Sequence, residues 1–167
     1  MHIIVTVIFL CFLFIKGTYR NLNKYGLTVY YVITCNLLYN ILCHDHLLWE
    51  YKPGVLTTHV LVDLLYTFII LPSVTLLYLS NYPFLQKWLK QARYIMYWVA
   101  GSLVISLYFY KTGRLEFNHG YKLWMDALFY PVMYIMLRLH HTRHLLTYIL
   151  SIIVIVFMML YFNVPIK

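Results

Sequence analysis

The 167 residues are 63% hydrophobic and 11% charged, with thirteen Lys and Arg against five Asp and Glu and a formal net charge of +8. A soluble domain needs about 25% charge to cover its surface, so this composition excludes a water-exposed globule and leaves lipid to do the covering. The basic residues are scattered over short loops with no separate basic domain, which argues against a nucleic-acid partner.

Six apolar blocks approach the roughly 20 residues needed to cross a bilayer core of about 30 Å. In chain order they are Met1–Ile15, Leu27–Cys43 (continuing to about Trp49), Thr58–Leu79, Tyr94–Tyr110, Lys122–Leu137 and Leu145–Phe162. The first is the shortest, and as a helix it would have to tilt little or draw on Gly17 to Tyr19; without it there are five spans. It lacks a basic n-region and a small-residue cleavage site, so it reads as a retained span and not as a cleaved signal peptide. Pro53-Gly54 predicts a tight turn between the second and third spans. Pro72 and Pro131 fall inside the third and fifth, where each removes a helix hydrogen bond. No loop is long enough for a soluble domain. The expected fold is therefore all-α, a polytopic transmembrane helical bundle forming a single domain over residues 1–167.

Orientation follows from the loop cations. Lys16, Arg20, Lys24, Lys87, Lys90, Arg93, Arg138 and Arg143 fall on one side, and Lys52, Lys111, Arg114, Lys122 and Lys167 on the other. The larger set belongs in the cytoplasm, so both termini are expected to be extracytoplasmic. All five acids, Asp45, Glu50, Asp63, Glu116 and Asp126, then lie at the outer face with His2, His44, His46, His59 and His119.

That segregation predicts one outer polar site. His44 and His46 point about 200° apart if helical and cannot share an ion, whereas helical neighbours are three or four apart. On that spacing His46 and Glu50 share a face at the end of the second span, and His59 and Asp63 share one at the start of the third. A short turn would bring the two pairs together. Glu116 and His119 precede the fifth span, and Asp126 lies one turn into it. A charge near a helix centre costs about 2.5–3.5 kcal/mol, so Asp63 and Asp126 are expected to face the bundle interior.

Asp63, Asp126 and Glu50 are the candidate acid/base groups, and His46, His59, Glu116 and His119 the candidate binding groups. His46, Glu50, His59 and Asp63 are the set that would hold a divalent metal, although no established metalloenzyme motif is present. At the other face Arg138 and His141 belong to a basic cluster suited to phosphate or lipid headgroups. Cys11, Cys35 and Cys43 form no CxxC pair and read as small apolar residues. Most of the eighteen tyrosines suit the membrane interface; Tyr30, Tyr39, Tyr66, Tyr134 and Tyr148 lie deeper, where they would line a polar cavity.

The stretches His46–Gly54, Asp63–Pro72 running on through Leu79–Pro83, and Tyr130–His141 resemble a family of small uncharacterised multi-pass membrane proteins of Bacillus-type bacteria. The similarity covers most of the chain after the first span. It implies a bacterial plasma membrane and carries no activity, cofactor or catalytic residue.

The reading is a small binding or accessory module that recognises a lipid, an ion or a partner helix, with membrane lipids and a membrane-protein partner or second copy as its partners. The alternatives are an intramembrane enzyme acting by acid/base or metal-assisted chemistry on a lipid-like substrate, and a proton- or ion-coupled transporter.

Overall fold

The structure is a computed structural model that describes residues 2–54 and 58–165. Met1 of the first span and Lys167 of the outer cationic set lie outside the described residues. Among the described residues six helices carry the fold: α1 (His2–Ile15), α2 (Leu22–Leu42), α3 (His59–Ser80), α4 (Trp88–Lys111), α5 (Asp126–Thr142) and α6 (His144–Tyr161). Two three-residue strands, β1 (Trp49–Tyr51) and β2 (Leu115–Phe117), pair antiparallel.

Among the described residues three helices are long and apolar enough to cross a membrane: α3 with 22 residues, α4 with 24 and α6 with 18. At 1.5 Å per residue α3 is about 33 Å long, close to the bilayer core. Helix α1 has 14 residues and α5 has 17, short of that length. Segments His2–Ile15 and Thr18–Leu42 pass the same test only when taken together, and they meet at a 79° bend. Gly17 makes that bend with φ of 63°, a left-handed conformation in which a β-carbon would collide with the backbone.

Helices α2, α3 and α5 form the centre, with α1 against α3, α4 against α5 and α6 against α5. Tyr25, Val29, Tyr78, Leu79, Tyr134 and Leu137 anchor the core at one end. Tyrosines tie the helices together there: Tyr78 donates to the Tyr134 carbonyl at 3.0 Å, and Tyr94 to the Tyr78 carbonyl at 2.9 Å. Such bonds hold helices together where lipid supplies no hydrophobic driving force between them.

The loops sort to two ends. At one, Asn21 donates to Ser80 at 2.9 Å, Tyr82 to Gln91 at 3.0 Å, and the His141 ring packs on Tyr25 and Phe84. At the other, the β1–β2 ribbon meets the beginning of α1, since His2 Nε2 lies 3.0 Å from the Lys52 carbonyl oxygen. The end of α6 is there too, with His46 Nε2 at 3.1 Å from the Phe162 carbonyl oxygen.

Two sequence expectations need correction. Helix α2 stops at Leu42 and does not run on to Trp49, because Tyr39 captures the chain beyond it. The Tyr39 hydroxyl accepts from Leu48 N at 2.9 Å and Trp49 N at 3.1 Å. His46 and Glu50 therefore share no helical face; Glu50 is a strand residue. Nor does the Pro53-Gly54 segment place two helix ends side by side, since β1 turns away to pair with β2, in the loop between α4 and α5.

Pro72 is accommodated without a break. The preceding residues Tyr66–Ile70 form a single π turn, whose wider ring takes up the contact the proline would make with the previous turn. Pro131 stays within α5.

Candidate functional site: an acidic cavity under a strand ribbon

The ribbon aligns Glu50 directly opposite Glu116. Two like charges at that spacing repel, and Lys52 relieves them, its ammonium lying 3.0 Å from Glu116 and 3.4 Å from Glu50. The Glu116 hydrogen bond raises the Lys52 ammonium above its ordinary range, opposed by desolvation and supported by the charges of both glutamates. Lys52 thus stays charged, on the outer side of the ribbon.

Beneath the ribbon lies a cavity of about 280 Å³. Its lining begins at Leu48, Trp49, Glu50 and Tyr51 and follows α5 from Asp126 to Leu137. The eleven rises of helix from Asp126 to Leu137 make that depth about 16 Å. Near the ribbon the wall holds Asp63 and Asp126 with Tyr39, Tyr51 and Tyr66 and the strand backbone at Glu50, whose carboxylate shares the face of Glu116; further in it is Met133, Met136, Val154 and Ile155. No Lys, Arg or His lines it among the described residues.

The three carboxylates are held differently. Asp126 is buried, and both its oxygens are taken: Ser106 donates to Oδ2, and Tyr121 donates to Oδ1 at 2.9 Å. Burial, and then the Asp126 charge, push the Tyr121 phenol well above its ordinary range, so it remains a donor. Asp126 thereby fastens α4 and the preceding loop to the start of α5. Asp63 is partly exposed, with His59 Nδ1 at 3.8 Å one helical turn away. Its backbone carbonyl accepts from Thr67, whose hydroxyl in turn accepts from Asn36 of α2 at 2.6 Å. Glu50 has only the 3.4 Å contact with Lys52 among the described ion pairs.

Of the residues marked by the sequence, Asp63 and Asp126 meet on one cavity, with His59 beside it and the Glu50 strand position at its edge. His46 and His119 stack ring on ring at 3.6 Å, away from the cavity lining. His119 holds a φ of 51°. Glu116 lies on the outer side of the ribbon with Lys52 and its cross-strand partner Glu50. Arg138 and His141 are at the opposite end: Arg138 donates to Gln91 at 3.5 Å, and its Nε is buried without a partner among the described residues. The expected metal set of His46, Glu50, His59 and Asp63 does not converge. Among the described residues no three His, Cys, Asp or Glu side chains are grouped to hold an ion.

Of the deep tyrosines, Tyr39 and Tyr66 do line the cavity. Tyr134 is buried against Ser102 at 2.7 Å, whereas Tyr30 and Tyr148 are exposed, Tyr148 with His140 at 3.3 Å. Cys43 is buried, as expected, but Cys11 is exposed.

The sequence reading missed Ser106, Tyr121, Tyr51 and His140. Ser106 sits in an apolar helix with nothing nearby to mark it, and only the packing of α4 on α5 reveals its role. Fully buried His140 meets Thr28 at 3.0 Å and stacks on Tyr31 at 4.3 Å, so it serves packing where the sequence suggested a basic surface.

Comparison of the chain with protein-family models, with curated proteins and with solved structures gives no match.

Proposed function

We propose that this chain is a multi-pass protein of a bacterial plasma membrane, and that its cavity binds a small amphipathic molecule drawn from the bilayer. All six helices would cross the membrane, some of them obliquely, with both termini and the ribbon outside. The sorting of loops to two ends and the excess of cations in the loops away from the ribbon support that arrangement.

The observation that carries the binding reading is the single cavity that passes from carboxylates and tyrosines to methionine, valine and isoleucine. Ligand sites commonly combine mostly apolar walls with a few polar groups at one end. Its 280 Å³ is near the lower limit of the roughly 300–1,000 Å³ usual for ligand pockets, so it suits one alkyl chain and not a two-chain lipid. The enzyme reading has less support, because the most buried acid, Asp126, spends both oxygens on Ser106 and Tyr121.

Trp49 lines the cavity, whereas Trp88 and Trp124 are exposed. In nanodiscs of zwitterionic lipid, a dodecanol brominated near its hydroxyl should quench part of the fluorescence saturably. That part should vanish in Trp49→Phe and weaken in Ile155→Phe, which fills the pocket. Quenching that rises linearly and is indifferent to both substitutions would overturn the reading.

A further inference from the structure

At the end of the bundle opposite the ribbon, and independently of the cavity, we propose that Arg138 and His141 hold the phosphate of an anionic lipid headgroup.

The state of Arg138 is the first argument. It lies near the end of α5 and is half-buried, whereas the other Lys and Arg of this end are exposed. A guanidinium offers five N–H donors. One reaches Gln91 Oε1 at 3.5 Å, an oxygen that already accepts from Tyr82 at 3.0 Å, and Nε is buried without a partner among the described residues. Tyr82 also stands beside the guanidinium, but both neighbours are neutral. Every described ion pair is at the ribbon end, where all five acids fall. Asp126 on the same helix is twelve rises away, about 18 Å. The helix ends do not settle the charge either: α5 finishes at Thr142 and α6 starts at His144, so opposite dipole ends abut and offset each other. A half-buried charge beside lipid is costly without a counterion, so an anion is drawn to Arg138 from outside the chain.

Its neighbour is the second. His141, three residues on, shares the Arg138 face of α5. Its ring packs on Tyr25 at 4.8 Å and Phe84 at 5.3 Å, and neither ring nitrogen has a hydrogen-bond partner among the described residues. The Lys24 ammonium lies over the same Tyr25 ring at 5.1 Å and acts on the His141 charge. A planar guanidinium fork with an imidazole donor and an ammonium beside it matches the several oxygens of a phosphate.

The level in the membrane is the third, and it selects a lipid over a soluble ion. Gln91 ties down the segment before α4 by donating to the carbonyls of Phe84 at 3.1 Å and Gln86 at 2.8 Å. In that segment and the turn after it Leu85, Trp88 and Leu89 are exposed between exposed Lys87 and Lys90. Aromatic and apolar side chains alternating with cations belong at the headgroup level.

The test uses the full chain in neutral detergent at high salt, where attraction to exposed cations is screened and attraction to a half-buried one much less. Dioctanoyl phosphatidylglycerol should raise the melting temperature saturably, and dioctanoyl phosphatidylcholine should not. Arg138→Gln should weaken the phosphatidylglycerol midpoint by about ten-fold or more. Arg138→Lys, which keeps the charge and loses the fork, and His141→Ala should each weaken it several-fold, and they carry the test if Arg138→Gln does not melt cooperatively without lipid. Lys90→Gln and Arg93→Gln should leave it unchanged. Equal stabilisation by the two lipids, or a loss spread evenly over Arg138, Lys90 and Arg93, reduces this end to a diffuse basic surface and overturns the inference. Saturation by inorganic phosphate at the same concentration as the lipid overturns the lipid source and leaves a soluble phosphate in the same site.

Discussion

Tyr39 and Trp49 stack face to face, ring centroids 4.1 Å apart and planes within 3°, while the Tyr39 hydroxyl accepts the backbone N–H groups of Leu48 and Trp49. One side chain of α2 thus holds both the position and the backbone of the ribbon's first strand. Tyr39→Phe keeps the stack and orphans two donors. An unsatisfied buried donor costs about 1–3 kcal/mol, so a measurable fall in melting temperature is expected. Unchanged stability together with unchanged Trp49 emission would show that the hydroxyl does not hold the strand.

Asp126 and Asp63 should respond in opposite ways to the same substitution. An amide at position 126 presents one oxygen and one NH₂ group to two hydroxyl donors, so Asp126→Asn should lower the melting temperature, as should Ser106→Ala and Tyr121→Phe, by about 1–3 kcal/mol each. Asp63→Asn removes a partly exposed charge whose close cation among the described residues is His59 at 3.8 Å, and should leave stability unchanged or raised. Thermal unfolding in detergent of these four variants decides the matter; a large loss in Asp63→Asn would make that residue a fastening for the fold.

Topology has a direct reading in the exposed loops. With the exposed Cys11 replaced by serine, a membrane-impermeant maleimide added to intact cells should label His44→Cys and spare Lys90→Cys. Labelling in the reverse pattern would place the ribbon and its acids in the cytoplasm.

The alkaline limb of stability should carry the ribbon's signature. Lys52 is raised above its ordinary 10.5 and Tyr121 above its ordinary 10.0. A raised group contributes fully below its ordinary value and loses that contribution as pH climbs through the raised one. The melting temperature should therefore fall above about pH 10, first as unfolded chains ionise their tyrosines. Tyr121→Phe should flatten that fall, and Lys52→Met should produce a smaller change because the side chain is exposed to solvent. A slope identical in all three proteins would contradict the assignment.

Helix content and the segregation of acids were legible because both depend on composition and spacing along one segment. The block at Leu27–Cys43 was extended to Trp49 because Leu47, Leu48 and Trp49 continue the apolar run, and no local signal says that Tyr39 will reverse the chain there. The ribbon was invisible for a related reason: each strand is three residues long, and Glu50 meets Glu116 only through the packing of two loops. Glu50 was singled out by its charge, yet the helical spacing that tied it to His46 was wrong. Asp63 and Asp126 stood out in the sequence because the cost of charge near lipid acts on each residue alone; in the structure Asp126 is buried and Asp63 partly exposed. Ser106 and Tyr121, which occupy Asp126, are common residue types whose roles appear only once α4 and α5 are side by side.

The π turn at Tyr66–Ile70 sets the angular phase between the two halves of α3. An extra residue in one turn offsets everything before it by about 100° relative to a continuous α-helix. The cavity lining takes Asp63 and Tyr66 from before the turn's end and Leu71 from after it. Deleting one residue from that turn would restore regular winding and swing Asp63 about a quarter-turn around the helix, off the cavity, while the Leu76–Leu79 segment kept its place in the core. The chain would still fold around its tyrosines, but with an acid rotated out of its binding face.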